Sequence, residues 1–167
     1  MKIAILSDAH DHGAHTRKAV ELAQQKGAEA LIFCGDFCAP RAAIEVSHFK
    51  GQIFAIFGNN DGDQLNIYQR ALDNNPAMKF FLEGRAVFEL GGKNIIVTHY
   101  PIYANALART GDYDLVCFGH DHKARIETHG KCLAVNPGCL NAVRADDIVG
   151  FAIYDTTSHK AELFGIE

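Results

Sequence analysis

Residues 2–10 read KIAILSDAH, a short apolar run that ends in an aspartate and a histidine. Two later segments repeat this design: ALIFCGD at residues 30–36 and IFAIFGNND at residues 53–61. Helical spacing of apolar residues follows each run, over residues 15–26, 41–49 and 64–72. Alternating strands and helices predict a mostly parallel sheet with right-handed crossovers.

The second half of the chain is richer in strands. Apolar runs flank Gly91-Gly92 and His129-Gly130, which are hairpin signals, and residues 150–155 and 160–164 form a last pair. A strand is expected at residues 115–118 and a helix at residues 102–109, after Pro101. No linker or repeat divides the chain, so we expect one domain over residues 1–167. The architecture expected is two mixed sheets packed face to face, with helices outside.

Composition excludes several classes of protein. The net charge is −4, which argues against strong binding of nucleic acid through its phosphates. No apolar run reaches membrane-spanning length, and the first residues enter a strand without a signal segment. Five cysteines without paired spacing favour reduced, buried thiols. We therefore expect a cytoplasmic protein without a membrane partner. The strand-rich C-terminal part offers an edge for self-association, so a homo-oligomer is one expectation.

Five polar motifs follow apolar runs and carry the chemistry. They are Asp8-Ala9-His10, Gly35-Asp36, Gly58-Asn59-Asn60-Asp61, Thr98-His99 and Gly119-His120-Asp121-His122. Ligands collect outside the carboxyl ends of parallel strands, so these motifs are expected at one rim. On extended backbone, residues two apart point the same way, which would aim both members of each Asp-x-His or His-x-His pair into one cavity.

The residue types indicate a pair of metal ions. Mixed oxygen and imidazole ligands suit manganese, iron, cobalt, nickel or zinc better than magnesium or calcium. Two ions roughly 3.5–4 Å apart are a common device for hydrolysing phosphate esters. Two divalent ions, two aspartates and one bridging hydroxide would leave a charge of about +1, which attracts a phosphate anion even to an acidic protein.

The motifs resemble the signature of the calcineurin-like metallophosphoesterase superfamily, and most closely its small YfcE-like phosphodiesterases. D-x-H, G-D, G-N-x-D, H and G-H-x-H occur in the same order, over roughly residues 1–140. The resemblance implies an α/β fold built as a four-layer α/β/β/α sandwich. It also implies a small-molecule phosphodiester as substrate and a metal-bridging hydroxide as nucleophile.

The resemblance further implies how the ligands divide between two divalent transition-metal ions. Manganese is the first choice, with iron, nickel, cobalt or zinc as alternatives. One ion would be held by Asp8, His10, Asp36 and His122. The other would be held by Asp36, Asn59, His99 and His120.

One position departs from the family pattern. Many members have histidine after the asparagine of the third motif, where it is thought to protonate the leaving group, but this chain has Asn60. A carboxamide can hydrogen-bond a phosphate oxygen but does not transfer a proton at useful rates. Either good leaving groups are preferred, or another group supplies the proton. His12 is the first candidate and His15 a weaker one.

Other functions remain open from the sequence. A Vps29-like protein of this fold serves mainly as a scaffold, with a degraded ligand set. A phosphomonoesterase acting on nucleotides or phosphoproteins would use the same metal site. Arg41 and Arg144 are candidates for binding a phosphate oxygen, although no spacing demands either.

Overall fold

The protein was analysed as a computed structural model that describes residues 1–141 and 148–166. The first half alternates strands and helices: β1 (Lys2–Leu6), α1 (Gly13–Gln25), β2 (Ala30–Phe33), α2 (Pro40–Ser47), β3 (Gln52–Ile56), α3 (Gln64–Asn74) and β4 (Lys79–Phe81). The second half contains mainly strands: β5 (Arg85–Leu90), β6 (Lys93–Thr98), α4 (Pro101–Ala108), β7 (Leu115–Cys117), β8 (Arg125–His129), β9 (Cys132–Asn136), β10 (Gly150–Asp155) and β11 (Lys160–Gly165).

The strands form two mixed sheets. The first sheet has six strands in the order β11-β10-β1-β2-β3-β4, and its β1 to β4 run parallel. The second has five strands in the order β5-β6-β7-β9-β8, with β6, β7 and β9 parallel. The hairpins β5–β6, β8–β9 and β10–β11 supply the antiparallel edges. The predicted change from parallel to hairpin pairing is confirmed.

Three apolar clusters separate four layers. Residues such as Ile5 and Ile32 from the first sheet pack between the sheets against Ile95 and Val135 from the second. The other face of the first sheet packs against α1, α2 and α3, and the other face of the second packs against α4. The inner part of each sheet is therefore apolar on both faces, which is why inner strands such as β2 and β7 are continuous apolar runs. The predicted α/β/β/α sandwich is confirmed.

Local signals explain where several elements begin and end. Pro40 and Pro101 occupy the first turns of α2 and α4, where a missing amide hydrogen costs nothing. Gly91 and Gly92 both have positive φ, at 59° and 72°, as a tight two-residue hairpin turn requires.

Strand β4 was missed by the sequence analysis. It has only three residues, none of them fully buried, and pairs in parallel with β3 at the sheet edge. So short a run has no detectable period, and only the crossover through α3 brings it to that edge. Elsewhere the boundaries shift by one or two residues. Within the described residues, no helix is long and apolar enough to cross a membrane.

Backbone hydrogen bonds join the loops at the carboxyl ends of the strands. The amides of Asp8 and His10 donate to the carbonyls of Gly35 and Asp36, at 3.0 and 3.1 Å. The Gly119 amide donates to the His99 carbonyl at 3.1 Å within the second sheet. The Leu140 amide also reaches back to the Asp8 carbonyl, at 3.0 Å. Loops from both sheets thus form one continuous rim.

Candidate metal centre

The seven side chains predicted as metal ligands lie together on this rim. They come from five loops, which follow β1, β2, β3, β6 and β7. These side chains are Asp8, His10, Asp36, Asn59, His99, His120 and His122. Asp8 and Asp36 are 0 and 1 % exposed, so their carboxylates are withdrawn from bulk water. A buried carboxylate needs strong partners, and the imidazoles that converge on these two carboxylates are such partners.

One group surrounds Asp8. The Nε2 atoms of His10 and His122 are 3.0 Å apart, and they lie 3.9 and 3.5 Å from the Asp8 Oδ1 atom. The three ligand atoms lie within 4.8 Å of one another. A carboxylate oxygen and two imidazole nitrogens facing a common point match the donor preferences of a first-row transition metal.

A second group surrounds Asp36. The His99 Nε2 atom is 3.4 Å from Asp36 Oδ2 and 2.9 Å from Asn59 Oδ1. His120 Nδ1 approaches the same Asn59 oxygen at 2.8 Å. Asp36 Oδ2 is also 3.9 Å from His10 Nε2, in the first group. The Asp36 carboxylate therefore stands between the two groups.

The second oxygen of Asp8 is held by the protein. Asp8 Oδ2 accepts hydrogen bonds from the Ser7 hydroxyl at 2.6 Å and from the His120 amide at 2.9 Å. Asp8 Oδ1 is buried and has no hydrogen-bond partner. A buried carboxylate oxygen without a partner costs free energy unless a cation binds it. This orphaned atom faces His122, which is where the first group would hold an ion.

The ring of His99 is oriented by the main chain. Its Nδ1–H donates to the Cys34 carbonyl at 2.8 Å, which directs the Nε2 atom at Asp36 and Asn59. A second partner of this kind is typical of histidines that bind metals, because it selects the tautomer and orients the ring.

Asp36 and His99 shift each other's pKa. Burial alone would raise the pKa of Asp36, but hydrogen bonding and charge from His99, together with two hydrogen bonds from Asn60, lower it to about 2. Burial disfavours the charged form of His99, but the Asp36 carboxylate outweighs it and raises the His99 pKa. Asp36 is therefore ionised at neutral pH, which is the form of a carboxylate that binds cations.

The backbone of the rim is left-handed, which corrects the expectation of extended geometry. Eight non-glycine residues of the described chain have positive φ, and seven of them lie on the rim. Asp8 and His10 have φ of 54° and 43°, and His120 and His122 have φ of 74° and 62°. The pairs converge because tight turns follow the strands, not because residues two apart share a strand face. Left-handed backbone outside glycine is strained and concentrates at functional sites.

Two buried side chains connect the rim loops. The Asp61 carboxylate accepts from the amides of Asp36, Gly58 and Cys38, at 3.0, 2.7 and 2.7 Å. It therefore joins the loops after β2 and β3. Asn136, which is fully buried, donates to the Gly119 carbonyl at 3.1 Å and supports the loop after β7.

Asn60 and the two candidate proton donors, His12 and His15, lie at different places. The Asn60 amide and side chain donate to the two carboxylate oxygens of Asp36, at 2.8 and 2.7 Å. His12 is the N-cap of α1, and its Nδ1 accepts from the His15 amide at 3.2 Å. The His12 ring stacks on His15, whose Nδ1–H donates to the Leu140 carbonyl.

Three residues beside the motifs were not singled out for the site from the sequence. The Ser7 hydroxyl holds Asp8, and the Cys38 sulfur lies 3.3 Å from His10 Nδ1. Tyr100 places its ring 4.8 Å from that of His120. Adjacency to a predicted ligand was the available signal for Ser7 and Tyr100. Of the two arginines considered for phosphate, Arg41 extends along Gly13 at the start of α1, and Arg144 lies outside the described residues.

Comparison with known proteins is consistent with this geometry. Residues 1–159 match the family model of the calcineurin-like phosphoesterase superfamily domain. Phosphodiesterase MJ0936 of Methanocaldococcus jannaschii is 31% identical over 140 residues, which cover 83% of each chain. Phosphodiesterase YfcE of Escherichia coli is 24% identical over 172 residues, covering 93% of this chain and 88% of the relative.

Solved structures share the fold. An archaeal phosphodiesterase superposes with a TM-score of 0.87 at 29% identity, covering 97% of this chain and 98% of the other. Vacuolar protein sorting 29 from Cryptosporidium parvum has a TM-score of 0.65 at 17% identity, covering 96% and 94% of the two chains, and that likeness concerns the fold alone. The resemblance drawn from the five motifs is confirmed: the chain belongs to the calcineurin-like phosphoesterase superfamily and is a metal-dependent phosphoesterase.

Proposed function

We propose that the protein is a phosphodiesterase with two divalent metal ions that share Asp36. The position of the Asp36 carboxylate between two groups of nitrogen and oxygen donors carries this proposal. Asp8, His10, Asp36 and His122 would hold one ion. Asp36, Asn59, His99 and His120 would hold the other. The matched relatives named phosphodiesterases support a diester as the substrate.

Two divalent ions bound by these residues would activate a water molecule as nucleophile and would stabilise negative charge on the phosphoryl oxygens. The chain's own residues orient the donors. Ser7 and the His120 amide hold Asp8 so that its free oxygen faces the rim, and Cys34 orients the ring of His99. The hydrogen bond from the Asn60 side chain withdraws electron density from Asp36 Oδ2. We take manganese as the first metal to test, because the mixed donor set suits it better than magnesium.

The test is a metal-reconstitution experiment. Protein stripped with a chelator should not hydrolyse bis(p-nitrophenyl) phosphate, and manganese should restore hydrolysis. Asp36→Ala and His120→Ala should abolish the restored activity, whereas His129→Ala, a histidine of β8 away from the rim, should retain it. Full activity in the metal-free protein would refute the proposal.

Two measurements separate the alternatives. A scaffold of the Vps29 type is favoured if the purified protein binds no metal and hydrolyses no ester, while two ions per chain favour the enzyme. A phosphomonoesterase is favoured if p-nitrophenyl phosphate is hydrolysed faster than the diester under the same conditions. The buried oxygen of Asp8, which has no hydrogen-bond partner, supports metal binding, because burying that atom gains nothing in a protein that never binds a cation.

We propose that proton supply to the leaving group depends on His12. Because the His12 Nδ1 accepts a hydrogen bond, its Nε2 is the atom that would move a proton. His12→Asn retains a capping side chain for α1 but removes the imidazole. This variant should lose activity on a diester with a poor leaving group and retain activity on the p-nitrophenyl diester. Equal rates for variant and wild type on the poor substrate would exclude His12 as the proton donor.

A further inference from the structure

A cavity of about 870 Å³ opens beside the candidate metal centre. It begins at Gly58 and His99 on the rim and continues between α4 and the segment 82–87. Its volume lies within the range of pockets that bind small molecules. Because His99 belongs both to this cavity and to the metal centre, a molecule with phosphorus at the rim has direct access to the cavity.

Aromatic side chains lead from the rim into the cavity. The Tyr100 ring lies 5.3 Å from the His99 ring and 4.8 Å from the His120 ring, and meets Tyr103 edge-on at 5.9 Å. Tyr113 lines the cavity farther along. Edge-on rings at these distances are favourable, and a further ring inserted among them gains the same interactions.

The cavity also contains apolar surface that nothing covers. Leu82, Val87 and Tyr103 are 64, 56 and 58 % exposed, and all three line it. Only six large hydrophobic residues of the described chain are at least 56 % exposed, and three of them line this cavity, so their concentration here marks a binding surface rather than scattered surface residues.

The charged groups of the cavity neutralise each other. The Arg85 guanidinium donates to the Glu83 carboxylate at 3.2 Å. No lysine and no second arginine is among the described residues that line the cavity. The cavity therefore favours an uncharged occupant over a second phosphate group.

We propose that this cavity binds an uncharged, planar aromatic arm of the phosphodiester substrate. The inference rests on the proposed phosphodiesterase function, and it names the class of substrate: diesters in which at least one alcohol or phenol carries an aromatic ring. Tyr103 and Leu82 are specificity-determining residues, because they contact that ring and not the phosphorus.

The test measures binding of two analogues that are not hydrolysed. Methyl(phenyl)phosphinate and dimethylphosphinate contain no P–O–C ester bond, carry the same single negative charge, and differ only in that a phenyl group replaces a methyl group. In calorimetric titrations of the manganese-loaded protein, the phenyl compound should bind about tenfold more tightly, which is the gain expected for a ring covered by aromatic neighbours.

Matched variants show whether the cavity residues cause the preference for the phenyl compound. Tyr103→Ala and Leu82→Ala should each reduce the tenfold preference to about threefold or less, with the affinity for the methyl compound unchanged. Ile102→Ala is the control: Ile102 is Tyr103's neighbour on α4, is 75 % exposed and does not line the cavity, so the preference should persist.

The possible results distinguish a failure of this inference from a failure of the proposed phosphodiesterase function. Equal affinity for the two analogues, in a protein that hydrolyses bis(p-nitrophenyl) phosphate, would overturn the aromatic cavity and leave the phosphodiesterase intact. A preference that survives both variants would also overturn it. Absence of both binding and hydrolysis would overturn the proposed function and this inference together.

Discussion

Asp61 offers the sharpest test of how the rim is held together. Its carboxylate accepts three backbone hydrogen bonds: Oδ1 from Cys38, and Oδ2 from Asp36 and Gly58. Asp61→Asn preserves the shape but replaces one acceptor oxygen with a donor. If the side-chain oxygen of the introduced asparagine occupies the Oδ2 position, its NH2 group replaces Oδ1. Two N–H donors, from this NH2 group and from the Cys38 backbone, then face each other, and the hydrogen bond from Cys38 is lost.

The size of the effect follows from these contacts. An unpaired, partly buried amide costs about 1–3 kcal/mol, and exchanging a charged for a neutral acceptor on the other two amides costs about 1 kcal/mol each. Opposing this, burial raises the pKa of Asp61, so removing its charge recovers part of the loss. We expect a net destabilisation of about 2 kcal/mol.

Urea unfolding of metal-free protein measures this value, and the midpoint should fall by about 1 M. Asp63→Asn is the matched control: Asp63 is an exposed N-cap, its Oδ1 accepts from the Asn66 amide at 3.2 Å, and asparagine caps equally well. The control should change stability by less than about 0.5 kcal/mol. Equal midpoints for the two variants would show that the three hydrogen bonds to Asp61 do not stabilise the rim. Manganese affinity of Asp61→Asn should also fall by roughly 10–100-fold, because Asp36 loses its support.

Three further predictions concern stability. Glu45 is buried, and its hydrogen bonds from Arg17 lower its pKa below the ordinary value of 4.5. The ion pair therefore stabilises the fold at pH values above 4.5. This stabilisation is lost as the pH falls through the lowered, folded-state pKa of Glu45. Arg17→Ala should therefore lower the Tm at pH 7 but not at a pH below the folded-state pKa, and a loss that is equal at both would contradict this. At Gly35, with φ of 97°, a methyl group would come within 2.7 Å of the Gly58 amide nitrogen, so Gly35→Ala should cost more than about 3 kcal/mol in urea unfolding. Gly92→Ala, with φ of 72° and open space, should cost about 1 kcal/mol, and equal losses would show that crowding at Gly35 is unimportant. Manganese at about 100 times its Kd should raise the Tm by about 5–10 °C, since it adds about 2.7 kcal/mol to a chain of this size, and a chelator should reverse the shift. An equal rise with the same concentration of magnesium would contradict the donor chemistry assigned to the rim.

Much of the fold could be predicted because most signals are local. The glycine pair at 91–92 specifies its own hairpin, and Pro40 and Pro101 mark the starts of two helices within one residue. Strand β4 could not be predicted, because its pairing depends on where α3 returns the chain and not on its own three residues.

In the candidate site, too, some features follow from the local sequence and others depend on distant parts of the chain. The identities of the donor side chains follow from motifs, so their convergence could be expected from the strand order. The interactions that hold these donor side chains in place could not be predicted from the sequence. The orientation of His99 depends on the carbonyl of Cys34, 65 residues away, and the clamp by Asp61 depends on three amides that carry no side-chain signature. The left-handed backbone at Asp8 and His10 could not be predicted either, because predictions from hydrophobic periodicity assume regular helices and strands.

That left-handed backbone also limits how the gene for this protein can change. Asparagine, aspartate, glycine and histidine tolerate such φ values better than other residues. A single base change converts an aspartate codon into a codon for asparagine, glycine or histidine. At Asp8 or Asp36, the mutations nearest in the genetic code therefore preserve the turn while altering or removing the metal-binding group. The fold around this rim can therefore persist after a candidate metal ligand has been lost.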